Sequence, residues 1–298
     1  MTTTQPHLNA LHSVSLSVGG FSLEGFSISG LSTWLHVKEL DAVFDMGECA
    51  HSVIPVRNVF LTHVHGDHSR CLPRHWQLRK MMNQDEATYY IPASAVGGFK
   101  EIIRSEVRME GGSVQNITYP NFQVLTDPAE RVAYKKGFWA TAFEVEHRAP
   151  SQGFTIGRTT QKLKPEYEGL EGREIGVLRK AGTNVTDELH TALFTFIGDC
   201  TGRTLFREKH IWDSQVLVIE CTYIDEEHRE NAVDRQHTHL DDIVEILSRT
   251  PAPKCQALVL KHFSMKYGPS YVKRRVMERI PASWRDRVHI LLPPESAE

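Results

Sequence analysis

Leu61-Thr62-His63-Val64-His65-Gly66-Asp67-His68 sets three imidazoles and a carboxylate within six positions, directly after the apolar run Val59-Phe60-Leu61. Packing does not explain that density, and a solvated histidine-rich loop would not be expected to follow a buried strand so closely. Imidazole with carboxylate suits zinc, and also manganese or iron, whereas a structural zinc site normally uses cysteine thiolates. The stretch therefore predicts a catalytic metal centre. On an extended segment His63, His65 and Asp67 share one side, and a turn at Gly66 could carry His68 towards a second ion.

Around this loop the composition is that of an ordinary globular protein: 298 residues, 40% hydrophobic and 24% charged. The length predicts one domain over 1–298, with residues 1–13 as a loose tail. No run of about 18 apolar residues occurs and the first residues lack the basic and apolar regions of a secretory signal, so the expectation is a cytoplasmic protein with no membrane partner. Five scattered cysteines, never spaced as CxxC, argue against both a disulfide framework and a thiolate zinc site. A net charge of -3 gives no global signature of nucleic-acid binding, so such a substrate would need a local patch or a second subunit.

Outward from the loop, Val14 to Val18 and Phe21 to Leu31 alternate apolar and small residues and predict short antiparallel strands. Ala42-Val43-Phe44-Asp45 and Asn58-Val59-Phe60-Leu61 read as buried strands ending in polar loops. Apolar runs recur before His147, Asp199, Glu220 and His262, which describes a site built on strand ends. Thr238 to Arg249 and Ser270 to Ile280 have helical spacing. Interspersed strands and helices give a layered α/β (α+β) class. Residues 158–190 are charged, carry four glycines and have weak periodicity, and are read as a projecting insertion.

Several further motifs resemble one family. Thr62 to His68 with Cys71-Leu72-Pro73, Phe44-Asp45-Met46-Gly47-Glu48-Cys49, His147 with Ser151-Gln152-Gly153-Phe154, and Leu163-Lys164-Pro165-Glu166-Tyr167-Glu168-Gly169-Leu170-Glu171-Gly172-Arg173-Glu174-Ile175 are similar to ribonuclease Z of the metallo-β-lactamase superfamily, in its short plant-type form. The resemblance covers about residues 20–290. It implies a four-layer αββα sandwich with a short arm, and a zinc-dependent phosphodiesterase that removes 3′ trailers from precursor tRNA.

Carried over position by position, it puts His63, His65 and His147 on one zinc, Asp67, His68 and His262 on the other, and Asp199 between them. Two ions about 3.5–4 Å apart would polarise the phosphodiester and supply hydroxide near neutral pH, with Asp67 orienting the water. Taken alone, Asp199 and His262 would read as a strand-end acid and a core histidine. The resemblance also makes Glu220 and a following histidine a catalytic pair, the histidine protonating the leaving 3′ oxygen. It aligns His237 with that role, although from the residues alone either His237 or His239 could face the metals. Asp45 would hydrogen-bond a metal-bound histidine and fix its tautomer. Ser264 and Lys266 would meet the phosphate. Lys162, Lys164, Arg173, Arg179 and Lys180 on the arm are candidate tRNA contacts, each equally explicable as a solubilising charge. An arm that grips tRNA bound at another subunit implies a homodimer.

Departures from the family pattern are local. Lysine stands at 266 where the family has arginine, which keeps the charge but loses the bidentate fork. Gly198-Asp199-Cys200 replaces Gly-Asp-Thr, and the long glycine- and proline-rich arm of bacterial forms is missing. The alternative function on the same scaffold is hydrolysis of small esters, lactones or cyclic phosphodiesters. Glu220 and His237 favour the nuclease. A metal- or nucleic-acid-binding protein without activity fits poorly with a complete donor set.

Overall fold

The computed structural model describes residues 13–250 and 254–293. Of the tail expected over 1–13, only Ser13 is included. The first sheet takes β1 (Val14–Val18), β2 (Phe21–Ser29), β3 (Ser32–Val37), β4 (Ala42–Phe44), β5 (Asn58–Phe60), β6 (Thr88–Tyr90) and β7 (Asn121–Gln123) in chain order. The second has β8 (Val132–Lys135), β9 (Phe138–Val145), β10 (Ser151–Leu163), β11 (Thr186–Phe196), β12 (Val216–Glu220) and β13 (Ala257–Lys261) as successive neighbours. The short β14 (Phe263–Ser264) crosses back to pair with β2, and β15 (Val288–Ile290) closes the second sheet beside β13.

Side-chain parity explains the layering. Phe44, Phe60, Phe154, Phe194 and Phe196 point between the sheets into one apolar layer, with the Phe44 ring centroid 5.4 Å from Phe60 and 4.9 Å from Phe196. Their neighbours Val43, Val59 and Tyr89 face outward and are covered by the helices Leu72–Met81 and Ala95–Met109. On the far side, Leu217, Ile219, Leu258 and Leu260 pack against Ile243, Ile246 and Leu247 of the helix Leu240–Arg249 and against Val272 and Val276 of Pro269–Arg279. Strands covered on both faces carry continuous apolar runs rather than alternation, as the runs at 42–44, 59–61, 216–219 and 257–260 do. The result is helix, sheet, sheet, helix.

Strand direction positions the chemistry. β4 and β5 are parallel neighbours, and β9, β11, β12 and β13 all run the same way. The loops leaving β5, β9, β11, β12 and β13 carry His63, His147, Asp199, Thr222 and His262. The two sheets are tied at this end by Gln152, whose backbone N–H donates to Thr62 O (3.0 Å) and whose side chain donates to Leu61 O (3.2 Å).

Across the insertion at 158–190, β10 runs on to Leu163 and β11 begins at Thr186, paired to the end of the hairpin, with the helix Gly172–Lys180 at the tip. Beyond Gly157 both faces of β10 are largely solvated, so the chain has no apolar alternation from which a strand could be read. The tip helix is closed at its N-terminus by a capping box between Glu171 and Glu174.

Candidate metal centre

The loop after β5 stays extended through His63 and His65, then winds into the single helical turn Gly66–Ser69 with His65 as its N-cap. This corrects the simple alternation expected along the loop. Asp67 does not stay with His63 and His65; the turn carries it, with His68, towards His262. Two donor groups result, His63, His65 and His147 with Asp199, and Asp67, His68 and His262.

Distances within the groups are those of ligands around a common point. His65 Nδ1 lies 3.1 Å from His63 Nε2 and 3.3 Å from His147 Nε2; His68 Nε2 lies 3.1 Å from His262 Nε2, which is 3.4 Å from Asp67 Oδ2. Nitrogens held at about 2.0–2.1 Å by a tetrahedral ion are separated by about 3.3 Å. Asp199 faces both groups, its Oδ2 3.7 Å from His63 Nε2 and its Oδ1 3.2 and 3.3 Å from the Nε2 atoms of His68 and His262. Asp199 Oδ1 is buried and has no hydrogen-bond partner of acceptable geometry. Buried carboxylate oxygens are rarely left so. Divalent cations fit this donor set.

The far nitrogens of four of the five imidazoles are engaged. His63 Nδ1 donates to Thr62 Oγ1 (3.0 Å), His68 Nδ1 to Asp45 Oδ2 (2.8 Å), His147 Nδ1 to Gln236 O (2.9 Å) and His262 Nδ1 to Thr222 Oγ1 (3.0 Å). Each bond fixes the tautomer that leaves Nε2 free to ligate. Asp67 Oδ2 accepts from the backbone N–H of Gly30 (2.8 Å). Asp45 also accepts the N–H (2.8 Å) and hydroxyl (2.9 Å) of Thr62. Thr222, Gly30 and Gln236 had no signal in the sequence that singled them out, because a threonine hydroxyl and backbone groups near a site resemble those anywhere else. The backbone records the constraint too: Asp45 (φ 58°) and His262 (φ 63°) both hold left-handed conformations, which side-chain-bearing residues adopt at a cost and often at functional sites.

Burial pushes the pKa of His63 well down and those of His65, His147 and His262 down, keeping lone pairs available at neutral pH. At His68 burial again opposes a proton, but Asp199 and Asp45 outweigh it and raise the pKa to about 10. Burial works to raise the pKa values of Asp199 and Asp67, yet the surrounding imidazoles hold both below the usual carboxylate range. The pocket draws positive charge.

The two candidate histidines after Glu220 separate cleanly. His237 Nδ1 donates to Glu220 Oε1 (2.9 Å) and lies 3.9 Å from Asp199 Oδ2. His239 instead caps the helix Leu240–Arg249, its Nδ1 accepting from Asp241 N (3.1 Å) and its Nε2 donating to Asp225 O (2.9 Å). Glu220 is fully buried and also takes the N–H groups of Cys200 (2.9 Å) and Thr222 (3.1 Å). Burial opposes protonation of His237, and Glu220 then Asp199 overcome it, lifting its pKa to about 9.

Ser264 stays beside this segment through its N–H to Thr222 O (3.0 Å). Lys266 is exposed and its Nζ donates to His228 Nε2 (3.4 Å). On the arm, Lys162, Arg173, Arg179 and Lys180 are exposed, whereas Lys164 is half-buried and 3.9 Å from Asp187. Among the described residues no helix is long and apolar enough to cross a membrane.

Asn in place of Asp45 keeps a residue that tolerates positive φ but removes the charge held against His68. Asp45→Asn is expected to weaken metal affinity about 10–100-fold in a chelator competition, with Tm close to wild type. Undiminished affinity would show that Asp45 does not orient His68.

No protein-family profile matches the chain. It is 29% identical over 280 residues to tRNase Z TRZ1 of Arabidopsis thaliana, covering 93% of this chain and 97% of that protein. Among solved structures, the metallo-β-lactamase-fold protein YhfI of Bacillus subtilis superposes with a TM-score of 0.59 at 11% identity, covering 89% of this chain and 93% of that one. The short form of human tRNase Z superposes with a TM-score of 0.51 at 16% identity, covering 93% and 95%. The sandwich shared with these structures is the metallo-β-lactamase fold, and along nearly its whole length the chain is similar in sequence to a tRNase Z.

Proposed function

We propose that the protein is a zinc-dependent endoribonuclease that removes 3′ trailers from precursor tRNA. The observation that carries this reading is a buried carboxylate, Asp199, facing two histidine-rich donor groups, with an imidazolium at His237 beside it. His63, His65, His147 and Asp199 would hold one zinc ion, and Asp67, His68, His262 and Asp199 a second; manganese or iron suits the same donors. Bound there, divalent ions supply Lewis acidity to a phosphodiester and lower the pKa of water.

The chain's own groups divide the proton work. Asp67, fixed by the Gly30 N–H, orients the attacking water and accepts its proton. His237 gives the proton on Nε2 to the leaving 3′ oxygen and keeps its Nδ1 proton on Glu220, which holds the ring in place throughout. Ser264 and Lys266 steady the phosphate. The arm's exposed cations contact the tRNA body, and a homodimer lets the arm of one subunit reach RNA bound at the other.

The test is incubation of the purified protein with a precursor tRNA, mapping of the new ends, a chelator control and a lactone alongside. Chelator-sensitive cleavage at one 3′ position is expected; lactone turnover without RNA cleavage would favour the small-ester reading. In the same assay, joining Leu163 to Thr186, the last register pair of the hairpin, through an Asn-Gly turn is expected to depress tRNA cleavage far more than hydrolysis of bis(p-nitrophenyl) phosphate. Equal losses would make the arm structural.

A further inference from the structure

Beside His237 the surface opens into a cleft of about 330 Å³ with Gln236 and His237 at one wall and Thr201, Arg203, Arg229 and Val233 around it. Ligand pockets begin near about 300 Å³, so the space suits one group of nucleoside size. We propose that this cleft seats the nucleoside whose 3′ oxygen leaves when the phosphodiester is cut, and that Gln236 and Thr201 read its base. The proposal rests on the phosphodiesterase reading above and adds a specificity site to it.

Position is the first argument. A proton donor must stand within about 2.6–3.2 Å of the oxygen it serves. The ribose that carries the leaving oxygen therefore lies against His237, and its base must extend along whatever surface adjoins that ring. The cleft is that surface.

Charge decides what kind of ligand fits. Both arginines at the cleft are already matched: Arg203 Nη1 is 3.6 Å from Glu146 Oε1, and Arg229 Nη2 donates to Asp242 Oδ1 at 2.7 Å. The walls thus offer no unmatched guanidinium to a phosphate. What they leave unpaired is neutral and polar: Gln236 Oε1 and Thr201 Oγ1 are buried without hydrogen-bond partners, and a turn of either side chain would present it to the cleft. Buried polar atoms are seldom left unpaired. A carboxamide supplies one acceptor and two donors and a hydroxyl supplies both, which complements the edge of a base.

The backbone fixes this reader to the metal centre. Gln236 holds φ 57°, and its carbonyl accepts from His147 Nδ1 at 2.9 Å. Its side chain can be changed while the carbonyl stays in place, and asparagine tolerates the same backbone conformation. Thr201 offers an equally clean change, because valine keeps its shape and removes only the unpaired hydroxyl.

The experiment uses four precursor tRNAs that differ only in the nucleotide immediately 5′ of the cut, with kcat/KM compared among them for each protein. Gln236→Asn and Thr201→Val are expected to alter the ratios among the four by at least about threefold with metal content retained. A third variant, Val233→Trp, obstructs the cleft from a side chain that is 69% exposed. Its loss of kcat/KM on RNA, carried by KM, is expected to exceed its loss on bis(p-nitrophenyl) phosphate at least about tenfold. Wild-type ratios in both single variants, with equal losses on both substrates for Val233→Trp, would overturn the proposal. A wild-type protein that cuts none of the four precursors would instead overturn the nuclease reading on which it stands.

Discussion

His65→Ala is expected to empty the first donor group and to reduce phosphodiester cleavage by at least about 10³, because Lewis-acid stabilisation contributes several kcal/mol and each 1.4 kcal/mol is a factor of ten. His65 Nδ1 is the atom that both His63 and His147 approach, at 3.1 and 3.3 Å. Without it two imidazoles and one carboxylate oxygen remain. His65 is half-buried in a loop, and its removal opens no apolar cavity, so the fold should survive with Tm little changed. Metal content by atomic emission and turnover on one preparation provide the check. Wild-type metal content with wild-type turnover would dismiss the catalytic metal centre.

His237→Ala is expected to leave metal content intact and to slow cleavage by about 10²–10⁴, the usual range for general acid–base catalysis. The two variants thus fail differently, one through loss of metal and the other through loss of a proton donor. The pH dependence gives a second readout. Glu220 and Asp199 lift the His237 pKa to about 9 against burial, so the acid is charged below that value and is lost as pH rises through it. Rate should therefore fall on the alkaline side. Cations bound at Asp199 would neutralise part of the raising charge and move that limb below 9. His237→Ala should lack the limb altogether, and an unchanged profile would remove His237 from the proton-donor role. His239→Asn, at the helix cap, should instead affect stability and spare the profile.

Much of the site was legible in the chain because its donor types are local and dense. Thr62 to His68 announces metal chemistry by residue type alone, and the apolar runs ahead of His147, Asp199 and His262 mark strands that end in chemistry. The resemblance then supplied the order of the seven candidate ligands. Three things lay outside that reach. Asp67 left the side of His63 and His65 because the chain turns helical at Gly66. The hairpin at 151–196 stayed hidden where both its faces meet water. Gln236 entered only through its backbone carbonyl, which no residue identity advertises.

The sequence by itself determined the layered class, since strands buried on both faces must be uniformly apolar, and it determined the chemistry, since only certain side chains hold cations. Tertiary structure alone decided which donors stand together, which of His237 and His239 meets Glu220, and what cleft adjoins it. The reason is physical: His68 and His262 stand 194 residues apart in the chain yet 3.1 Å apart in space. Such convergence is a property of sheet direction and packing, to which each local segment contributes without encoding the meeting point.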